Sequence, residues 1–368
     1  MIEQNWTVLL ATTVAWLLTW VVVRLAPLHQ RASADHDITG VQKFHSKPVP
    51  RVGGVGIAGA LAVALLWGAW QGGLGVHAIW LLAAAAPAFF AGLAEDLTKR
   101  VGVLARLAAT MASAALGVWL LDAQLNRLGI PLMDGWLQSV AALSFVVTLV
   151  AVGGLANAVN IIDGFNGLSA GATGLMFTAF AYVAWQVGDT LLLHTCLAMV
   201  GALFGFAVWN WPRGLIFLGD GGAYLVGFVL AEVAVLLVVR HPEVSPWLGM
   251  LVCAYPVTET LFTMYRRRFI HGTSPGQPDA MHLHTLIHRR LVRNASTVPK
   301  GEGLAARNSA TSPYLWGLTL FSVLPAVAFW RYPALLLAAS VAFVLVYLAM
   351  YRMIVHFRSP RWLRRRVA

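Results

Sequence analysis

Charged residues are scarce in this chain. Asp, Glu, Lys and Arg together supply 11% of its 368 residues, against about a quarter in a soluble domain. With so little charge and 59% hydrophobic residues, a soluble fold would have no adequate polar surface. Cysteine is scarcer still. Cys196 and Cys253 are the two present, both inside apolar runs, so they imply neither a disulfide framework nor a cysteine-based metal site. Carboxylates are few as well, 15 against 26 Lys and Arg, and each can be considered individually. No internal repeat is visible. Met1 to Asn5 is too brief to serve as the basic n-region of a cleavable signal, so the first apolar run is expected to be retained.

Long apolar runs fill the rest, and the mean hydropathy is +0.71. Counted as stretches of about 17–25 mostly apolar residues, they give about eleven expected spans: 6–27, 52–70, 77–94, 104–121, 139–158, 168–187, 190–210, 222–239, 246–265, 313–330 and 333–351. The expectation is an all-α polytopic integral membrane protein. One transmembrane domain is expected over 1–351, with a long loop at 266–312, and a basic tail at 352–368. An odd number of spans puts the termini on opposite sides. All Lys and Arg except Arg127, Arg240 and Arg331 then fall on one side. The positive-inside rule makes that side the cytoplasm, with the N-terminus outside and the C-terminus inside. The net charge of +11 needs no nucleic acid: anionic lipid headgroups and an anionic substrate are sufficient partners. The tail is expected only to hold the C-terminus to headgroups.

The polar signatures gather in the same five loops. The densest is Asn157-Ala-Val-Asn160-Ile-Ile-Asp163-Gly164-Phe-Asn166-Gly167-Leu168, directly after an apolar run. Hydrocarbon does not tolerate such a cluster unless it faces water, protein or ligand. Asp163-Gly164 and Asn166-Gly167 are also turn-formers. Asn157 and Asn160, three residues apart, share one helix face at membrane depth. The loop 37–54 holds Lys43 and His45, stiffened by Pro48 and Pro50. Glu95 and Asp96 end another run, where they can bind a cation, perturb each other's pKa or simply cap the helix. Arg106 lies just inside the next span. Gly219-Asp220-Gly221-Gly222 reads either as a helix N-cap or as a carboxylate on a glycine-rich turn open to a metal–phosphate complex. The long loop carries Arg268, His282, His284 and His288. A zinc site there needs a third ligand, which His282 can supply only with distorted geometry. Contacts to a phosphate or nucleotide fit better. Glu259, near the end of its span, and Glu232, in mid-span, have no role assigned.

In this order the motifs resemble those of the polyprenyl-phosphate N-acetylhexosamine-1-phosphate transferases, integral membrane enzymes that include the phospho-MurNAc-pentapeptide transferase. The likeness runs from Asp37 to about His288. Loop one matches through Asp37, Lys43, His45, Pro48, Pro50, Arg51, Gly53 and Gly54. Glu95 and Asp96 stand at the paired acids, with Arg106 at a basic position. The Asn/Asp stretch matches N-A-x-N-x-x-D-G-x-N-G-L in full. Gly219, Asp220 and Gly222 match G-D-x-G, and Arg268, Gly272, Ser274, Pro275, Pro278, Asp279, His282 and His284 match the last region. Glu95 replaces the usual Asp, and Thr39, Gln42, Ala280 and Thr285 also depart from the pattern. These departures leave the reaction class intact and the sugar open.

The resemblance implies transfer of a sugar-1-phosphate from a UDP-N-acetylhexosamine to polyprenyl (undecaprenyl) phosphate, with release of UMP, to initiate a lipid-linked glycan of the cell envelope. It implies Mg²⁺ (or Mn²⁺), a bacterial inner membrane, and contact with membrane lipids. A homodimer is left open. Asp220 with Asn160 is expected to hold the metal. Glu95, Asp96, Asp163 and Arg106 form the catalytic group, with Asp96 orienting or deprotonating the lipid phosphate. Lys43, His45, Asn157, Asn166, Arg268, His282 and His284 are expected to bind substrate. The rival readings are a polytopic transporter or flippase and a zinc hydrolase built on His282, His284 and His288.

Overall fold

The computed structural model describes residues 2–35, 48–270, 272, 279–294, 303–358, 360, 363 and 365–367. Helices α1 (Ile2–Arg24) and α2 (Ala26–Ser33) lead into a strand, β1 (Ala34–Asp35), that pairs antiparallel with β2 (Val49–Pro50). Then come α3 (Gly54–Trp70), α4 (Gly75–Thr98), α5 (Val103–Leu121), a short α6 (Pro131–Ser139), α7 (Ala141–Ile162), α8 (Leu168–Val187), α9 (Thr190–Asn210) and α10 (Gly219–Arg240). α11 (Trp247–Val252) and α12 (Ala254–Tyr265) run into a π-helical turn, Arg266–Ile270. The chain continues through α13 (Leu283–Arg290), β3 (Val292–Asn294), α14 (Gly303–Ser309), α15 (Ser312–Ala328), α16 (Pro333–Val355) and β4 (Arg365–Val367).

The protein is an all-α polytopic membrane protein. Among the described residues, 8 helices are long and apolar enough to cross a membrane: α1, α4, α5, α7, α8, α9, α10 and α16. The three other expected spans take different forms. α3 and α15 are apolar but only 17 residues long. The stretch 246–265 is broken at Cys253 into α11 and α12. Pro256 explains the break, because it offers no N–H to the Val252 carbonyl and its ring crowds that position. The helix restarts at Ala254, which leaves Pro256 in a first turn where no such bond is needed.

α10 is the centre of the bundle. It is apolar on every side and buried along nearly its whole length, as expected of a helix surrounded by others. α3, α4, α5, α7, α8 and α9 pack around it, and α1 packs outside against α3 and α9. The exposed apolar side chains, such as Trp6, Leu104, Trp119 and Leu345, lie on the outer helices. The tail, expected only to touch headgroups, has a further contact. β4 pairs in parallel with β3, the strand that follows α13 in the long loop. Arg290 of α13 also donates to the carbonyls of Ile354 and Val355 at the end of α16.

Candidate active site

The site forms where the first turn of α10 meets the ends of three other helices. Close backbone approach makes this possible. Gly219 opens α10 with φ of +75°, and an added Cβ there would stand 1.8 Å from the carbonyl oxygen of Arg51. Only glycine meets both demands. Gly54 of α3 lies against Gly222, and Gly92 of α4 against Asp220 and Gly221, closely enough that a Cβ on either would overlap backbone. The start of α3 is stitched to the residues just before α10, Gly53 N–H to the Phe217 carbonyl (3.0 Å) and Gly54 N–H to the Leu218 carbonyl (2.9 Å).

This contact brings Asp96 beneath α10. Asp96 is fully buried, and its two oxygens accept the N–H groups of Asp220 and Gly221, both at 2.9 Å. It therefore caps the helix N-terminus from a neighbouring helix, where a negative charge is favoured by the helix dipole. Glu95 is only half-buried, and one of its oxygens accepts the Val101 N–H at 2.7 Å.

Asp220 is the focus of the cations. Arg106 of α5 pairs with Oδ2. Oδ1 accepts from Arg51 Nη2 at 3.3 Å and from Asn160 Nδ2 at 3.2 Å. Arg106 also lies over the Tyr224 ring, 5.9 Å from its centroid, and the Tyr224 hydroxyl donates to Asn157 Oδ1 at 3.4 Å. Asn157 and Asn160 thus both turn from α7 towards α10, as their spacing predicts. Asp163 ends α7 as its C-cap. Burial pushes its carboxyl up to about 7; the Arg51 charge opposes that shift and the Asp96 charge adds to it.

The remaining predicted residues are elsewhere. Asn166 is buried but engaged in holding loops together. Its backbone N–H donates to Asn308 Oδ1 (2.7 Å), its carbonyl accepts from Ser312 (2.6 Å), and its amide reaches Pro212 and Ser309. Arg268 is exposed on the π-helical turn. Lys43 and His45 lie outside the described residues.

His282 and His284 are buried, and their rings stack 5.1 Å apart. Phe165, on the same loop as Asp163, packs against His284 and His288 at 5.5 and 5.0 Å. Burial, reinforced by the charge of His282, pushes His284 down to about 3. His288 falls to about 4, again chiefly through burial and then through Arg307. Both rings are neutral at pH 7, so they can offer hydrogen bonds and ring faces but no positive charge. Asp279 is held below the usual carboxylate range: burial raises it, but the Met281 N–H and the Arg266 guanidinium outweigh that. Among the described residues no group of three His, Cys, Asp or Glu side chains could hold a metal ion.

Comparison with known proteins gives the family. The model of glycosyl transferase family 4 matches residues 78–238, from α4 through α10. The undecaprenyl-phosphate alpha-N-acetylglucosaminyl 1-phosphate transferase of Escherichia coli (strain K12) is 30% identical over 270 residues, 69% of each chain. The chain belongs to glycosyl transferase family 4. The Salmonella typhi protein of the same description is 26% identical over 302 residues, 77% of this chain and 80% of the relative. A probable undecaprenyl-phosphate N-acetylglucosaminyl 1-phosphate transferase of Bacillus subtilis (strain 168) is 25% identical over 296 residues, 77% and 74%.

In this family 4 member the matched segment holds Glu95, Asp96, Arg106, Asn157, Asn160, Asp163 and Asp220. Two participants escaped the sequence reading. Arg51 touches both acids, at 3.3 Å from Asp220 and 3.9 Å from Asp96. Its signal was the Pro-Arg-Val-Gly-Gly run, noted as motif but not as site. Tyr224 is one turn into an apolar helix, and nothing in the sequence marked it.

Proposed function

We propose that this chain transfers N-acetylhexosamine-1-phosphate from a UDP-sugar to undecaprenyl phosphate, with release of UMP. The observation that carries the proposal is Asp220 at the head of α10, held by Arg51, Arg106 and Asn160 and backed by Asp96. Four separate loop motifs converge there at one end of the bundle. The names of the relatives support N-acetylglucosamine as the first sugar to test.

In the reaction, an oxygen of the lipid phosphate attacks the sugar-bound phosphorus of the UDP-sugar. The bond from that phosphorus to the bridging oxygen breaks, and UMP departs with that oxygen. A phosphate monoester is already largely ionised at pH 7, so no strong base is needed. Positioning and charge neutralisation dominate. Arg51 and Arg106 already converge on one carboxylate, and an arriving diphosphate competes for the same guanidinium groups. Asp96 fixes the head of α10 and thereby the direction of Asp220. Asp163 and the histidines of the long loop, His282 and His284, are assigned to holding the nucleotide.

The donor set fits a hard divalent cation such as Mg²⁺. Asp220 supplies carboxylate oxygens, Asn160 an amide that can present oxygen after rotation, and Mg²⁺ asks for only one or two carboxylates beside phosphate and water. Bound there, such an ion would offset the charge of the diphosphate. Purified protein assayed with a panel of UDP-N-acetyl sugars and undecaprenyl phosphate should release UMP with at least one of them, and chelation of divalent cations should abolish it. Failure across the panel would remove the proposal and favour a transporter.

The site end of the bundle faces the cytoplasm in this reading, because the eleven-span topology assigns nearly all Lys and Arg to that side. After replacement of Cys196 and Cys253, single cysteines at Thr98, Ser274 and Ala368 should react with an impermeant reagent only from inside. A cysteine at Gln71 should react from outside. Labelling of Ser274 and Gln71 from the same side would overturn the eleven-span topology.

A further inference from the structure

One buried carboxylate near the site has no part in the chemistry above. Glu259 of α12 is fully buried, yet it is surrounded by donors. Its Oε1 lies 3.0 Å from His282 Nδ1 and 3.2 Å from the backbone nitrogen of Leu283. Its Oε2 lies 3.3 Å from the same nitrogen and accepts the Tyr347 hydroxyl at 2.9 Å. Thr263, one turn further along α12, is 3.3 Å from the same ring nitrogen of His282. A buried carboxylate without such partners would be strongly disfavoured.

His282 is the N-cap residue of α13, and its own side chain does not cap the helix. Glu259 does so instead, from a different part of the bundle, by accepting the first free N–H of α13. The same carboxylate orients the ring. A carboxylate only accepts hydrogen bonds, so Nδ1 of His282 donates to Glu259 and the Nε2 edge is turned away from it. The stack of His282 on His284 carries this orientation further. His284 rests against Gly164, where an added Cβ would stand 3.0 Å from its Nε2, and against Phe165. Gly164 is the neighbour of Asp163. Glu259 therefore connects a helix of the bundle to the loop that carries Asp163 and Phe165.

We propose that Glu259 is a positioning residue: it sets the ring of His282, and through the stacked His284 the surface of the long loop that receives the nucleotide part of the UDP-sugar. The inference rests on the transferase reading above. Glu259→Gln keeps the shape and an acceptor but removes the charge and can present an amide N–H towards the ring. The Michaelis constant for the UDP-sugar should rise about tenfold, the order expected for one weakened charged hydrogen bond, while that for undecaprenyl phosphate stays the same.

A purely structural anchor predicts a different pattern. To separate the two, Glu259→Gln is combined with His282→Ala. If Glu259 acts through His282, the double variant has the same UDP-sugar constant as His282→Ala alone. Tyr347→Phe removes another hydrogen bond to the same carboxylate and should leave that constant unchanged. Additive effects, or equal losses with both substrates, would overturn the proposal. If Glu259→Gln does not fold, Glu259→Asp keeps the charge and decides the matter: a raised UDP-sugar constant supports the positioning role, and an unchanged one refutes it. Wild-type protein inactive on the whole sugar panel overturns the transferase reading and this inference with it. Active wild-type protein with additive variants overturns only the role of Glu259.

Discussion

Asp220→Asn should lower turnover at least about a hundredfold, or roughly 2.7 kcal/mol of transition-state stabilisation, in protein that still folds. The amide has nearly the same shape as the carboxylate, and the first turn of α10 keeps its cap from Asp96. The charge is what disappears. Arg51 and Arg106 now share Asp220, and in the variant neither has that counter-charge. A hard cation would also lose its one carboxylate. The two arginine side chains are 27% and 14% exposed, so water can compensate part of the lost pairing and the fold should survive. The measurements are UMP release at saturating substrates and the thermal midpoint in detergent. Near-normal turnover by a folded variant would remove Asp220 from the centre of the site.

Glu95 and Asp96 should respond differently to a change of one methylene. Asp96→Glu is expected to lose most of the activity, on the order of a hundredfold, as small displacements at a tight site do. Glu95→Asp should retain much of it. Asp96 has each oxygen on a separate backbone N–H of α10, both at 2.9 Å, and a Cβ at Gly219 would already stand 2.6 Å from Oδ2. No room exists there for a longer side chain, so Glu would push the head of α10 and Asp220 with it. Glu95 is half-buried and accepts the Val101 N–H, which a shorter acid can approach by a small shift of the loop. Turnover of UDP-N-acetylglucosamine, or of whichever UDP-sugar the panel identifies, is the readout. Equal tolerance at the two positions would mean that the pair acts only as a patch of negative charge.

The strictness expected of Asp96 was legible in the sequence, but not the cause the structure suggests. The resemblance implied that Asp96 orients or deprotonates the lipid phosphate. In the folded chain both oxygens of Asp96 face the backbone of α10, and we assign it to holding Asp220 in place. Asn166 diverges in a similar way. Its motif is complete, yet its hydrogen bonds go to Asn308, Ser309, Ser312 and Pro212, residues far along the chain. Arg51 diverges in the opposite direction: it reads as part of a basic loop and ends between the two acids.

The sequence by itself determined that this chain lies in a membrane, that it is helical, and that its polar motifs gather at one end. Scarce charge and long apolar runs leave a chain no other solvent than lipid, and backbone groups in lipid must be satisfied within helices. The motifs also carried the family. The tertiary structure alone decided which polar group meets which. That outcome depends on distances between helices, and here glycines set those distances. Gly54, Gly92, Gly219 and Gly222 let three backbones approach closely enough for Asp96 to reach the N–H groups of α10 and for Arg51 to reach Asp220. The break at Cys253 likewise begins α12, whose Glu259 meets His282 across 23 residues of chain. No local pattern reports such contacts, because each is made by side chains whose separation along the chain says nothing about their separation in space.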